Sequence, residues 1–259
     1  MSTPGTRPPA RGRAGRVALV TGAAGGLGGV ISQVLHENGH RVALTDLSGE
    51  RAERAARALD PAGATAVGLA LDVRDKASFE RVLRELTSRW AEVHVLVNNA
   101  GESRIEPLME ITPESFSDVV ATNLDGTFLG SQVFGAYFAG MGHGRIVNIA
   151  SLAGQNGGTA TGAHYAAAKG GVAAVTKVFA RELAAAGVTV NAVAPGPLDL
   201  PVVRETVTPE RLEAITGAIP TGGLGSPRFV ADMVALLAAE HAGSVTGACW
   251  DANGGLFMR

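Results

Sequence analysis

Residues 16–29, RVALVTGAAGGLGG, carry the reading from which the fold follows. Arg16 to Thr21 is a short apolar run with the length and composition of a buried strand. Gly22, Gly25, Gly26 and Gly28 come next, with Leu27 among them. A helical pattern then runs through Val30, Ile31, Val34 and Leu35 to Gly39, a residue suited to the left-handed position that ends a helix. Strand, glycine turn and helix in that order are the context in which a glycine motif indicates a dinucleotide site. Glycines let the backbone approach a pyrophosphate, and the helix N-terminus stabilises its charge. The spacing, T-G-x-x-x-G-x-G, is one residue wider between its first two glycines than the usual dinucleotide fingerprint. No Lys-Ser/Thr pair follows, which rules out an ATP-type phosphate loop.

Outward from this stretch the same alternation continues. Arg41 to Thr45 reads as a second strand closed by Asp46, and Glu50 to Leu59 as a helix. Ala66 to Leu71 is a third strand, Lys76 to Arg89 an amphipathic helix, and Val93 to Val97 a fourth strand. A long helix is expected from Pro113 through Phe134 with Asn123 inside it. A strand over Arg145 to Ala150, a helix over Tyr165 to Ala186, a strand over Val188 to Val193, a helix over Phe229 to Ala239 and a last strand over Ala248 to Asp251 complete the series. Leu198 to Pro220 has no single period and reads as a lid or substrate loop. With no repeats and no linker, the chain is expected to form one α/β domain over 16–259. The architecture expected is a Rossmann-type doubly wound parallel sheet of about seven strands with helices on both faces.

The strand ends supply candidate ligands. Asp46 lies 18 residues past Gly28, close to where an acid accepts from the adenosine ribose hydroxyls. A carboxylate there repels a 2′-phosphate, so NAD(H) is expected over NADP(H), with Arg51 and Arg54 near enough to blunt the preference. A turn role for Asp46 beside Leu47 is the alternative. Asp72, before Val73, could accept from an adenine amino group or cap the next helix. Asn99, Ala100 and Gly101 end the fourth strand on the ligand side of a parallel sheet.

The chemistry is expected in residues 151–169, SLAGQNGGTATGAHYAAAK. Tyr165 and Lys169 are one helical turn apart on one face. A cation roughly 4–5 Å from a phenol at an effective dielectric of ~20 favours the phenolate by about 3–4 kcal/mol. That would bring Tyr165 from its usual ~10 to about 7–8, useful for general acid/base work. Ser151, at a strand end, could hold a substrate oxygen beside it. Asn123 is either a buried amide or one that orders water behind this pair. His164, pointing about 100° away from Tyr165 on a helix, reads as a neighbour only.

Composition narrows the classes. The 35 glycines in 259 residues are roughly twice average usage and imply many tight backbone approaches. The net charge of −2 gives no electrostatic case for nucleic acid or an anionic membrane. The single cysteine, Cys249, excludes an intramolecular disulfide and any cysteine-based metal cluster; no metal site is expected. No apolar run approaches the ~18 residues of a membrane span, and residues 1–15 read as a disordered tail rather than a secretory signal. A cytoplasmic enzyme is expected.

Taken together, TGAAGGLG (21–28), Asp72, NNAG (98–101), Asn123, Ser151, YAAAK (165–169), Pro195-Gly196 and DANGGLF (251–257) give the chain a resemblance to the short-chain dehydrogenases/reductases over residues 15 to 259. The resemblance is greatest to the 3-oxoacyl-[acyl-carrier-protein] reductase group. It implies a tetrad: Tyr165 as general acid/base, Lys169 lowering its pKa and binding the nicotinamide ribose, Ser151 holding the substrate oxygen, and Asn123 supporting a water relay. It implies a nicotinamide cofactor, with Pro195, Gly196 and Leu198 also lining its site. A small-molecule or acyl-thioester substrate follows, as does a homotetramer or homodimer packed through the helices of Asn123 and Tyr165. Dehydrogenation of a sugar, steroid or other secondary alcohol is the alternative, and a non-catalytic dinucleotide sensor a third. Two positions depart from the family pattern. Ser151 precedes Tyr165 by 14 residues, where 13 is frequent, and Leu200 stands where the family often carries Thr.

Overall fold

The computed structural model describes residues 15–158 and 162–259; the expected tail falls outside them apart from Gly15. Seven strands form one sheet: β1 (Val17–Thr21), β2 (Arg41–Asp46), β3 (Ala66–Ala70), β4 (Val95–Asn98), β5 (Gly144–Ile149), β6 (Val188–Pro195) and β7 (Cys249–Ala252). Their spatial order is β3-β2-β1-β4-β5-β6-β7, and every pairing is parallel. This is the doubly wound arrangement expected from the sequence. The order reverses between β1 and β4, and a ligand crevice opens beyond the carboxyl ends of the strands at such a point.

The helices are α1 (Gly26–Glu37), α2 (Gly49–Leu59), α3 (Lys76–Trp90), α4 (Pro113–Val120), α5 (Gly126–Met141), α6 (Ala153–Asn156), α7 (Ala163–Leu183), α8 (Pro201–Thr206), α9 (Pro209–Ala218) and α10 (Pro227–Ala238). Alternation along β1 feeds two cores. Ala18 and Val20 pack with Ile31, Val34 and Leu35 of α1 and with Val230, Val234 and Leu237 of α10. Val17 and Leu19 face the other way, toward Phe79, Val82 and Leu86 of α3 and Phe134 and Phe138 of α5. Burial on both faces explains why the strands read as continuous apolar runs. Truncating Phe134, which is fully buried, to Ala would cost about 3–5 kcal/mol. Local punctuation agrees: Gly39 has φ 84°, Ser48 caps α2, and Asp75 caps α3.

Two expectations change. The helix from Pro113 to Phe134 is interrupted by a π-helical turn over Ala121–Asp125, with Asn123 at its centre. Such single-turn bulges gather at functional sites. Residues 198–220, expected as a lid or substrate loop, contain two helices: α8 and α9 each begin on a proline, Pro201 and Pro209, whose missing N–H is harmless at a first helical position. Thr208 caps α9 through the Arg211 amide.

Candidate active site

The glycine turn is shaped by what it touches. A Cβ at Gly22, where φ is 62°, would lie 2.8 Å from Ala100 Cα, and one at Gly28 would overlap the Gly22 carbonyl oxygen. Both positions therefore let the β1 turn lie against residues 98–101. Asn99 Nδ2 donates to Thr21 O (2.9 Å) and Gly22 O (3.1 Å), and Thr21 Oγ1 accepts from the amides of Asn99 and Ala100. Gly25 and Gly26 differ, since nothing lies within 4 Å of a Cβ on either. Gly25 precedes α1 without any side-chain cap, so the first amides of that helix stay open.

A cleft of about 760 Å³ runs from this turn to Tyr165 and Lys169. It brings together Gly22, Gly25, Leu27, Gly28, Asp46, Leu47, Asp72, Val73, Asn99, Ala100 and Gly101 of the expected ligand set. The cleft wall does not include Gly26, Pro195, Gly196 or Leu198. Pro195 pairs with Ala252 inside the sheet, a Cβ on Gly196 would meet Asn253, and Leu198 is buried in the core. Leu200 lines the cleft.

Both strand-end acids make the local bonds of a turn and still face the cleft. Asp46 Oδ1 accepts from the Ser48 amide (3.1 Å) and lies 4.0 Å from Arg51 Nη1. Asp72 Oδ1 accepts from the Arg74 amide (2.9 Å), whereas the cap of the next helix is Asp75.

Tyr165 and Lys169 line the cleft; Asn123 and Ser151 are not part of its wall but lie beside them, Asn123 across Gly101 from Lys169 and Ser151 next to Tyr165. Asn123 is fully buried; its Nδ2 donates to Glu102 O (2.8 Å) and Val119 O (2.9 Å). Its Oδ1 has no partner among the described residues and faces Gly101, as does the Lys169 ammonium. Lys169 donates to Ile149 O (2.8 Å), and burial alone pulls its pKa down to about 8. Its Nζ is 5.6 Å from the Tyr165 ring centroid. The expected acidification of Tyr165 is not what this geometry gives. Burial pushes the phenol up, opposed by the neighbouring Ser151 hydroxyl. The expectation counted the cation's attraction without the cost of desolvating a phenolate. Ser151 also accepts from the Ala153 amide (3.1 Å). Ser151 lies close enough to act on the Tyr165 phenol, so the 14-residue spacing still brings the two together; residues 159–161 within it lie outside the described residues.

At the opposite end of the sheet, Glu92, His94 and His143 offer ligand atoms within 4.8 Å of one another, a cluster the sequence did not suggest. There His94 Nδ1 is occupied by the Val17 amide (3.1 Å).

A family model described as enoyl-(acyl carrier protein) reductase matches residues 22–257. The 3-oxoacyl-[acyl-carrier-protein] reductase FabG of Escherichia coli K12 is 39% identical over 247 residues, covering 94% of this chain and 98% of the relative. FabG of Vibrio cholerae is 41% identical over 244 residues with the same coverage, and FabG of Pseudomonas aeruginosa is 38% identical over 244. The chain belongs to the short-chain dehydrogenase/reductase family.

As a short-chain dehydrogenase/reductase it is an oxidoreductase that works with a nicotinamide cofactor. The residues present fit that group: uncapped α1 amides above two open glycines suit a pyrophosphate, and the orphaned Asn123 Oδ1 and buried Lys169 ammonium offer polar partners at the far end. Sequence reading missed Glu102, Ser103, Arg74 and Thr122 in the cleft wall, since nothing in their local pattern marks them as site residues. It named His164 but set it aside.

Proposed function

We propose that this enzyme reduces the 3-oxo group of an acyl thioester, of the kind carried on acyl carrier protein, with NADH preferred over NADPH. Support comes from near-full-length similarity to FabG reductases, together with a cleft that joins a glycine turn to the Tyr165 phenol and the buried Lys169 ammonium. The observation that carries the reading is geometric: one cleft brings the Tyr165 phenol and the Lys169 ammonium into reach of the glycine turn. A phenol is protonated at neutral pH and can give the proton that reduction of a carbonyl requires.

In this reading, the Gly22–Gly28 turn and the α1 amides hold the cofactor's pyrophosphate, and Asp46 accepts from the adenosine ribose. When bound, the nicotinamide supplies the hydride. Ser151 hydrogen-bonds the substrate oxygen and so orients the carbonyl. Tyr165 gives its phenolic proton to that oxygen as negative charge develops there. Lys169, with a pKa near 8, is protonated in most molecules at pH 7 and stabilises the phenolate left behind. Asn123 Oδ1, with no protein partner, accepts from a group or water facing Gly101 and so completes a path for the returning proton.

Residues 198–220 act as a lid whose Leu200 closes over the cleft. Phe116, Phe128 and Val178 are exposed on α4, α5 and α7, and we assign this face to pairing between copies in a homodimer or homotetramer. The enzyme is cytoplasmic in this reading; no described helix is long and apolar enough to cross a membrane.

The test is turnover of the N-acetylcysteamine thioester of acetoacetate with NADH and with NADPH. The reading expects oxidation of either cofactor on adding the thioester, with kcat/KM at least about tenfold higher for NADH. Cofactor binding without turnover of that thioester would overturn the substrate, and a preference for NADPH would overturn the role of Asp46.

A further inference from the structure

His164 precedes Tyr165, is completely buried, and makes no bond to the phenol. Its ring instead reaches the backbone. Nδ1 accepts from the Tyr165 amide at 2.8 Å, an amide shared with the Gly162 carbonyl at 3.1 Å. Helix α7 starts one residue earlier, and its N-cap, Gly162, has no side chain with which to hold the first turn. His164 therefore supplies the acceptor that a capping residue would normally provide. Gly162 has to be a glycine for this, since a Cβ there would run into the imidazole.

With Nδ1 accepting, the neutral ring carries its proton on Nε2. Among the described residues that nitrogen has no hydrogen-bond partner, and Glu106 Oε2 lies 4.0 Å from it. Glu106 accepts from Ser115 Oγ (2.7 Å), which accepts from Arg104 Nη1 (3.2 Å), and Arg104 pairs with Glu102 and Asp118. The carbonyl of Glu102 holds Asn123 Nδ2, and the carbonyl of Arg104 accepts from the Gly162 amide at 3.2 Å. Segment 102–106 is thus tied at one end to the residue beside Tyr165 and at the other to Asn123. A buried imidazole with one idle nitrogen is a poor choice for packing alone, because an apolar side chain of similar size would leave nothing unpaired.

We propose that His164 is a positioning residue. By holding the Tyr165 amide from one side and facing Glu106 from the other, it fixes the first turn of α7 and thereby the direction of the phenolic hydroxyl toward Ser151. This rests on the reading of Tyr165 as proton donor.

The experiment compares His164→Leu, His164→Asn and Tyr165→Phe in the full-length enzyme with the acetoacetyl thioester of N-acetylcysteamine and NADH. His164→Leu removes the acceptor; Asn restores one, its amide oxygen standing in for Nδ1. The proposal expects kcat to fall at least about tenfold in His164→Leu, with KM for the thioester and Kd for NADH within twofold and thermal stability unchanged or higher. His164→Asn is expected to return to within about threefold of the parent. Equal losses in the Leu and Asn variants, or a His164→Leu enzyme with parental kcat, would overturn the proposal. If His164→Leu does not fold, Glu106→Leu at a half-buried position decides. A three- to fivefold loss of kcat at unchanged KM upholds the link, and parental kcat removes it. Tyr165→Phe separates the two readings: full activity there condemns the proton-donor assignment whatever His164 does, whereas a dead Tyr165→Phe with an unaffected His164→Leu condemns only the positioning role.

Discussion

At the carboxyl end of the sheet, the first amides of α1 and Asn123 Oδ1 have no partner among the described residues, and beside them lies the Lys169 ammonium, bonded to Ile149 O, whose pKa burial has drawn down to about 8. At the amino end, two buried arginines spend their donors on carbonyls. Arg16 bonds Ala238 O, and Arg145 bonds Ala239 O, Glu240 O, Gly144 O and Gly187 O. Several of these are the last carbonyls of α10 and the residues after it, where a cation is favoured by the helix dipole. The difference separates groups kept for a ligand from groups used to close the fold. Groups of the first kind cost stability until something binds, and groups of the second kind supply it.

Exchanging one cation at each end breaks or sharpens that contrast with the largest effect. Lys169→Met is expected to lower kcat at least about 100-fold, some 2.7 kcal/mol, with the thermal midpoint unchanged or raised, because a desolvated charge has been removed. Arg145→Met is expected to do the reverse. It should cost about 2–4 kcal/mol of stability by stranding the α10 carbonyls and leave kcat/KM within twofold. Paired kinetics and calorimetry check both, and a destabilised Lys169→Met or an inactive but stable Arg145→Met would erase the distinction.

Acid should loosen the amino end next. Burial, with Arg16 close by, holds the His40 pKa down to about 4 against 6.5 in the unfolded chain. The unfolded state therefore binds this proton first. The contribution is intact above pH 6.5 and is lost as pH falls from 6.5 to 4, about 3 kcal/mol in all. Urea midpoints measured over that range should fall less steeply for His40→Gln than for the parent, and parallel curves would refute the assignment.

The smallest effect lies at the rim of the cleft. Asp46→Ser removes the carboxylate that opposes a 2′-phosphate while Arg51 stays nearby. The NADH/NADPH ratio of dissociation constants, read by nicotinamide fluorescence, should move toward NADPH by about tenfold, or 1.4 kcal/mol. No movement would leave Asp46 with its turn role alone.

Much of this was readable in advance, for identifiable reasons. Strands buried on both faces advertise themselves as apolar runs, and Gly39 and Pro113 end and start helices by rules that need no tertiary context. The π-helical turn at 121–125 was not legible, because one inserted residue changes no local propensity and Asn123 registers only as a weak helix former. The helices at 201–206 and 209–218 were missed although Pro201 and Thr208-Pro209 carry start signals, since period was weighed above capping. The electrostatics of Tyr165 misled because desolvation depends on neighbours that sequence spacing does not supply. His164 was set aside on a side-chain direction argument that holds for the phenol but ignores the backbone amide its ring reaches.

The central claim is that a protonated phenol at the carboxyl end of the sheet delivers the proton. Steady-state turnover of Tyr165→Phe with the acetoacetyl thioester tests it most directly. The account predicts kcat at least about 1000-fold below the parent with NADH affinity within twofold, and a variant turning over at near-parental rate would contradict it.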